Sequence, residues 1–350
     1  MEDMLIFGAK SLALGACIAL NELYPQYNIK GFVVSSLSGN PTKLHNLPVI
    51  ELNSVEDKRT LIYIATPEDV QGSIVKSLKE QGFDNYICMD SEKESELMGR
   101  YYDAVNRFPS LEKCGDIGNI HGYIAKYYKD KPLIKEYRMP MWLKPIQVGA
   151  VLTNVRVAGM TDDTGDNISG KNGNYCELTA LYWIWKNVIP KDNKKDSYYG
   201  LFHYRRVLDV KKEELYRLKD NGIDVILPYP TICDPHISEH HERYVNSSDW
   251  KAMLQALAEL QPDYFSAFMK ILEQEYLYNY NILIARKEVI SDYCAWLFPI
   301  LERTEQLSVP KGSERSDRYI GYLGENLLTL YFMYHKEHLH IVHTGRIMLV

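Results

Sequence analysis

The chain has 350 residues, 46% of them hydrophobic and 25% charged, which excludes a disordered or fibrous protein and, at roughly 150 residues per domain, predicts two domains. Lys plus Arg 40 against Asp plus Glu 46 leaves a net charge of −6, so a duplex-nucleic-acid binder is excluded and any anionic ligand must meet a local basic cluster. No run nears the roughly 20 apolar residues that span a bilayer, and Met1-Glu2-Asp3-Met4 lacks a basic signal-peptide start. A cytoplasmic location is expected.

Residues 4–90 alternate short apolar runs with helical stretches. Met4 to Phe7, Ile29 to Val34, Leu61 to Ala65 and Tyr86 to Met89 read as strands, with helices over Ser11 to Leu23 and Val70 to Leu78. Strands separated by helices predict a parallel, Rossmann-like sheet. Its first turn, Gly8-Ala9-Lys10-Ser11-Leu12-Ala13-Leu14-Gly15, lacks the G-x-G-x-x-G spacing, and the second strand ends in Val34-Ser35-Ser36 where a ribose-binding acid is expected. A dinucleotide dehydrogenase is disfavoured. The helix start after Gly8 is either a phosphate site or a structural βαβ turn.

A charged helical stretch from Ser91 runs to breakers at Pro109, Gly115 and Gly118, which places the boundary between a domain over 1–112 and another over 117–350. The second α/β unit reads as strand Asn119 to Lys126, helix Tyr175 to Val188, strand Tyr198 to Tyr204, helix Lys211 to Lys219 and strand Ile223 to Leu227. Later come helices Asp249 to Leu260 and Tyr264 to Gln274, strand Asn281 to Ala285, and helices Lys287 to Thr304 and Tyr322 to Tyr334 before a short terminal strand. The six cysteines lie at least 26 residues apart with no CxxC, so buried free thiols are expected in place of a zinc ribbon or disulfide scaffold.

Two stretches concentrate polar residues. Thr161-Asp162-Asp163-Thr164-Gly165-Asp166-Asn167-Ile168-Ser169 is a loop that could hold a divalent cation or hydrogen-bond sugar hydroxyls, or be a solvated Asx-turn loop. Asn174-x-x-Glu177 has the form of a capping box. Tyr198 to Arg206 is an apolar strand ending in His203, Arg205 and Arg206; ligands of open α/β sheets bind beyond such carboxyl ends, and two arginine forks could offset a diphosphate. His236 and His240 could share a metal on a helix but lack the H-E-x-x-H order, so an acceptor-side loop or a solvated helix start is the preferred reading. His203 and His343 are the remaining metal candidates, and Glu325, where the glycine-rich turn Gly321-Tyr322-Leu323-Gly324 enters a helix, is either a dipole-favoured charge or a general base.

Pro145 to Ala150, Asp163 to Ser169, Asn174 to Asn187, Gly200 to Arg206, Asp224 to Pro228, Lys287 to Phe298 and Gly321 to Glu325 resemble, in order, the signature blocks of the domain-of-unknown-function 4422 family. The resemblance covers roughly residues 119–350. It implies a GT-A-like glycosyltransferase domain of bacterial capsule and exopolysaccharide synthesis, some members being galactofuranosyltransferases. One departure is Ala125-Lys126-Tyr127, where a Thr-His-Lys is expected.

The resemblance further implies a nucleotide sugar, UDP-linked, and a glycan or lipid-linked acceptor, with peripheral association at the inner face of the cell membrane left open. Asp163, Asp166, Asn167, His203, Arg205 and Arg206 are the expected donor-binding residues. Arg205 and Arg206 would stabilise the departing diphosphate, so that a divalent cation, Mn or Mg, is optional, and Glu325 would be the general base. Two other readings stay open: a non-catalytic glycan-binding or assembly protein, and a nucleotide-sugar-modifying enzyme acting through the N-terminal domain. Against the last stand the missing ribose acid and the lack of a Tyr-x-x-x-Lys in residues 1–110.

Overall fold

The computed structural model describes residues 2–109, 119–137, 139–211, 215, 218 and 222–350. Near the N-terminus, β1 (Glu2–Phe7), β2 (Tyr27–Val34), β3 (Lys43–Leu44), β4 (Leu47–Glu51), β5 (Leu61–Ile64) and β6 (Tyr86–Cys88) form a sheet in the order β3-β4-β2-β1-β5-β6. Every pairing is parallel except the β3–β4 hairpin. Helices Ser11–Leu23, Glu68–Glu80 and Ser91–Ala104 make the crossovers and cover, as the alternation predicts. The apolar runs of β1 and β5 are buried because a parallel sheet is covered on both faces. Gly8 donates its N–H to Val33 O at 2.9 Å, and a Cβ there would meet Ala65 O at 2.9 Å, so the turn packs tightly between strands.

The second sheet comprises β7 (Asn119–Lys126), β8 (Leu143–Gln147), β9 (Met160–Thr161), β10 (Ser197–His203), β11 (Arg206–Leu208), β12 (Val225–Pro228), β15 (Leu283–Arg286), β16 (Ile341–Thr344) and β17 (Arg346–Met348). Its main path runs β16-β12-β15-β10-β7-β8-β9, with β11 hairpinned onto β10 and β17 onto β11, while β13 (Thr231–Ile232) and β14 (Tyr276–Leu277) pair separately. Only β15 of the main path runs antiparallel to its neighbours. Central β10 is buried along Ser197–Phe202 and sends Tyr199 and Leu201 into one core, Tyr198 and Phe202 into the other, the two-residue alternation of a strand. Helices Leu178–Asn187, Lys287–Leu307 and Tyr319–Tyr334 pack into the first of these cores. The α/β class with parallel-rich sheets is therefore as expected.

Several local expectations need correction. The helix expected from Tyr175 starts only at Leu178, because Cys176 adopts φ 51° and breaks it from the short turn Asn172–Tyr175. The capping box does not form: Asn174 instead donates to Gly312 O and Arg315 O and accepts from the Asp317 N–H. Strands β8, β9 and β11 escape the apolar-run criterion because they are short or charged, whereas the expected terminal strand is present as β16 and β17. The expected boundary at 112–117 and most of the Lys211–Lys219 helix lie outside the described residues.

The two sheets are not loosely tethered. Tyr229 and Ile232 enter the core of the N-terminal sheet, Tyr102 stacks on Tyr229 with ring centroids 5.3 Å apart, and Tyr102 donates its hydroxyl to Pro230 O at 2.8 Å. Glu94 pairs with Arg346 at 2.7 Å, and Ser95 Oγ donates to Asp209 at 2.7 Å.

Candidate functional site

Strands β7 and β10 run side by side, His203 opposite Ala125, so Lys126 and His203 mark one carboxyl edge. Beyond His203 the chain turns sharply and Arg206 pairs back against His203 as β11 begins. The two arginines consequently diverge. Arg205 Nη1 reaches Asp69 Oδ2 at 2.8 Å, in the first turn of helix Glu68–Glu80, while the Arg206 guanidinium lies over the Tyr280 ring at 4.3 Å. Arg346 covers the same ring at 4.9 Å, so Tyr280 sits beneath two cations.

Arg206 faces carboxyl groups that sequence reasoning only partly found. Glu325 lies on helix Tyr319–Tyr334, not at a turn entering it. Burial, then the neighbouring Glu177, push its carboxyl up to about 8, against the opposing pull of Arg206 and Arg318. Glu177, earlier assigned to a cap, is buried and accepts from Asn281 Nδ2 at 2.8 Å; burial also holds its carboxyl above the ordinary value. Asp130, after β7, accepts the Tyr127 N–H at 2.7 Å, and burial raises it to about 6 although Lys126, Arg205 and Arg318 pull it down. The unexpected Lys126 thus joins the cluster.

Arg318 completes the basic wall. Its Nε donates to Cys176 Sγ at 3.4 Å. Burial, with Glu177 next, drives the Cys176 thiol up to about 12, so it is a neutral partner and not a nucleophile. Cys176, Tyr280, Asn281 and Arg318 make up half of the eight non-glycine residues with positive φ among the described residues. Each such conformation costs on the order of 1–3 kcal/mol, and their gathering here marks a functional region. Helix Tyr319–Tyr334 approaches closely because a Cβ at Gly324 would lie 2.8 Å from Leu178 Cδ1 and 3.3 Å from Asn281 Oδ1.

The histidines divide. His203 has a buried Nδ1 without a partner, and burial followed by Arg206, Arg318 and Arg205 depresses it to about 3, which keeps it neutral. His343 is removed from the site: Tyr278 hydroxyl lies 2.8 Å from its Nε2 and Pro109 O lies 3.2 Å from its Nδ1. With both ring nitrogens engaged, it is not the metal candidate expected. His203 is a neutral imidazole facing the guanidinium groups of Arg206, Arg318 and Arg205, and that positive field disfavours a divalent cation at its ring. Among the described residues no group of three His, Cys, Asp or Glu could hold one. His236 lies outside helix Ile237–His240, at its N-cap, and contacts Ser238, while His240 packs on the Tyr244 ring at 5.3 Å, so the two are not paired one turn apart on a helix as expected.

The Asp-rich loop closes on itself. Asp163 accepts from Thr161 Oγ1 at 2.6 Å, Asp166 from the Tyr182 hydroxyl at 3.0 Å, and Asn167 bridges Gly165 O and the Ser169 N–H. Asp162, not singled out before, is buried and anchors the ends of β8 and β9 by accepting from the N–H groups of Gly149 and Ala150 at 2.9 and 3.0 Å. The structure brings together Glu325, Arg206 and His203 from the expected set, adds Glu177, Arg318, Asp130 and Lys126, and turns Arg205 toward Asp69.

Among solved structures, the chain is similar to one described as the WbbM bifunctional glycosyltransferase apo structure, with 27% identity and a TM-score of 0.56. The match covers 66% of this chain and 45% of that one, so this chain spans less than half of that protein's length. No curated protein matches it. The model of the family described as Domain of unknown function (DUF4422) matches residues 132–337, a stretch that holds Glu177, Arg206, Arg318 and Glu325, and the chain belongs to that family.

Proposed function

We propose that the chain is a glycosyltransferase that moves a hexosyl group, galactofuranosyl among the candidates, from a UDP-linked sugar to a glycan or lipid-linked acceptor in capsule or exopolysaccharide synthesis. The observation that carries this reading is a proton-holding carboxyl, Glu325, facing Arg206 and Arg318 at the carboxyl edge of an α/β sheet. Likeness to a glycosyltransferase structure and a mixed sheet compatible with a GT-A-like fold support it.

In this reading the donor's diphosphate lies against Arg206 and Arg318, with neutral His203 as a hydrogen-bonding neighbour. The acceptor oxygen forms its bond to the anomeric carbon as the bond from that carbon to the diphosphate oxygen breaks. The acceptor proton passes to ionised Glu325, and the electron pair leaves with the nucleoside diphosphate, whose charge the guanidinium groups offset. Burial, then Glu177, raises the proton affinity of Glu325. Arg205 acts by fixing the hairpin, the Asp163–Asn167 loop by shaping the rim, and no divalent ion is required. Residues 1–112 and 117–350 are the two units of this reading.

Exposed Val151, Leu152, Val155 and Val157 on the loop after β8 support action at the inner face of the cell membrane on a lipid-linked acceptor. No helix of the described residues is long and apolar enough to cross a membrane. The test is a thermal-shift panel of UDP, GDP, CMP and dTDP sugars with and without Mn²⁺, since a ligand of the native state raises its stability. A UDP-sugar shift independent of Mn²⁺ is expected; no shift with any nucleotide sugar overturns the reading.

A further inference from the structure

We propose that Tyr244 and Tyr322 form a platform on which an acceptor sugar ring stacks, so that one of its hydroxyls is delivered to Glu325. This inference rests on the glycosyl-transfer reading and assigns the acceptor's side of that site.

Tyr244 is 46% exposed, whereas most of the chain's large aromatic side chains are packed away. Its ring meets that of half-buried Tyr322 with centroids 5.4 Å apart and planes tilted by 30°. Tyr322 stands three residues before Glu325 on helix Tyr319–Tyr334, a spacing that places the two on one helix face, and Arg318 is the residue that caps this helix. The Arg318 guanidinium covers the Tyr322 ring at 5.6 Å. Glu325 and Tyr280 both act electrostatically on the Tyr244 phenol, which ties the exposed ring to the site.

The backing of the platform suits a neutral ligand. His240 packs against Tyr244 at 5.3 Å, and burial, then Arg243 and His241, depress its imidazole to about 4. The His240 ring is therefore uncharged at neutral pH, and the Arg318 guanidinium over Tyr322 marks the side of the platform that meets the diphosphate. A sugar presents an apolar C–H face and a polar rim, the complement of an aromatic face with hydroxyl tips. A base must touch the acceptor, so the aromatic residues beside Glu325 on its own helix line the acceptor's approach. The diphosphate's place is instead set by Arg206 and Arg318.

The test uses saturation-transfer NMR with octyl galactoside, glucoside and mannoside on the full chain, beside thermal shifts with UDP. Transfer to the sugar-ring C–H protons is expected for the wild type, with binding weakened at least tenfold in Tyr244→Ala, retained in Tyr244→Trp, and with the UDP shift unchanged in all. Tyr322→Phe, which keeps the ring, should bind like the wild type. Loss of the UDP shift in Tyr244→Ala would make the rings a nucleobase platform and overturn the proposal. Equal glycoside binding by wild type and Tyr244→Ala, or no sugar-ring transfer in the wild type, also overturns it. Failure of the glycosyl-transfer reading shows separately, as a wild-type chain that no nucleotide sugar stabilises.

Discussion

Arg205 and Asp69 pair at 2.8 Å across the seam between the two sheets, with side chains only 18% and 26% exposed. Asp69 belongs to the acidic first turn of its helix, where the helix dipole also favours a carboxylate. Arg205 Nε stays buried without a partner, so Asp69 is its ion-pair partner, with the Asp130 carboxyl also within its field. The N-terminal unit thereby holds the hairpin that carries Arg206.

Removing Asp69 leaves a largely buried guanidinium without its counterion, so Asp69→Ala should cost about 1–3 kcal/mol in urea denaturation. Arg205→Ala should cost a similar amount, and the double variant less than the sum, with a coupling of about 1 kcal/mol for this partly exposed pair. Strict additivity would show that the contact contributes nothing.

The neighbouring arginine should behave differently. Arg206 rests on the Tyr280 ring and faces Glu325 and Glu177, so Arg206→Ala is expected to weaken UDP binding at least tenfold, about 1.4 kcal/mol. Arg205→Ala should alter UDP affinity less than it alters stability. Isothermal titration beside denaturation separates the two, and identical profiles for both variants would count against divergent roles.

Divergence of adjacent residues is what a sequence hides. The run from Tyr198 to Arg206 showed a buried strand ending in cations, but not the reversal at Tyr204 and Arg205 that pairs Arg206 with His203. Glu177 looked like a cap because Asn174 precedes it by three; its partner Asn281 is 104 residues away and invisible to local pattern. Gly321 and Gly324 suggested a turn through their low helix propensity. Close packing of Gly321 on Cys176 and of Gly324 on Leu178 and Asn281 overrides that preference. Arg318 and Asp130 carried no signal beyond being charged, whereas the alternation of strands and helices before residue 90 was legible because burial on both faces of a parallel sheet leaves unbroken apolar runs.

Gly345 tests how rigid the seam is. A Cβ there would lie 2.3 Å from Ser95 Cβ and 2.8 Å from Ser95 Cα, so the backbone of helix Ser91–Ala104 must retreat. Gly345→Ala should destabilise by about 1–3 kcal/mol, the usual cost of overpacking, and Ser95→Gly in the same chain should restore part of it. Gly159, with nothing within 4 Å of its Cβ position, is the control, expected to shift stability by under about 0.5 kcal/mol on conversion to Ala. Equal melting temperatures for the Gly345 and Gly159 variants would mean the seam yields freely.

Glu325 provides a pH signature in both stability and rate. Its carboxyl moves from an ordinary 4.5 to about 8 on folding, so between those pH values the native chain keeps a proton that the unfolded chain has released. Stability from this group is fully present below pH 4.5 and falls as pH rises to about 8, with a slope of up to about 1.4 kcal/mol per pH unit. Glu325→Gln cannot ionise and should lack that fall, a difference readable from urea midpoints at pH 5, 6.5 and 8. For transfer the sign reverses, because a base must be ionised to accept the acceptor's proton. Wild-type kcat/KM should climb with pH and level near 8, while Glu325→Gln should be slower by roughly 10²–10⁴-fold without that limb, with UDP affinity preserved. Parallel stability slopes in the two proteins, or a wild-type rate that is flat from pH 6 to 8, would remove Glu325 from the proton-transfer role.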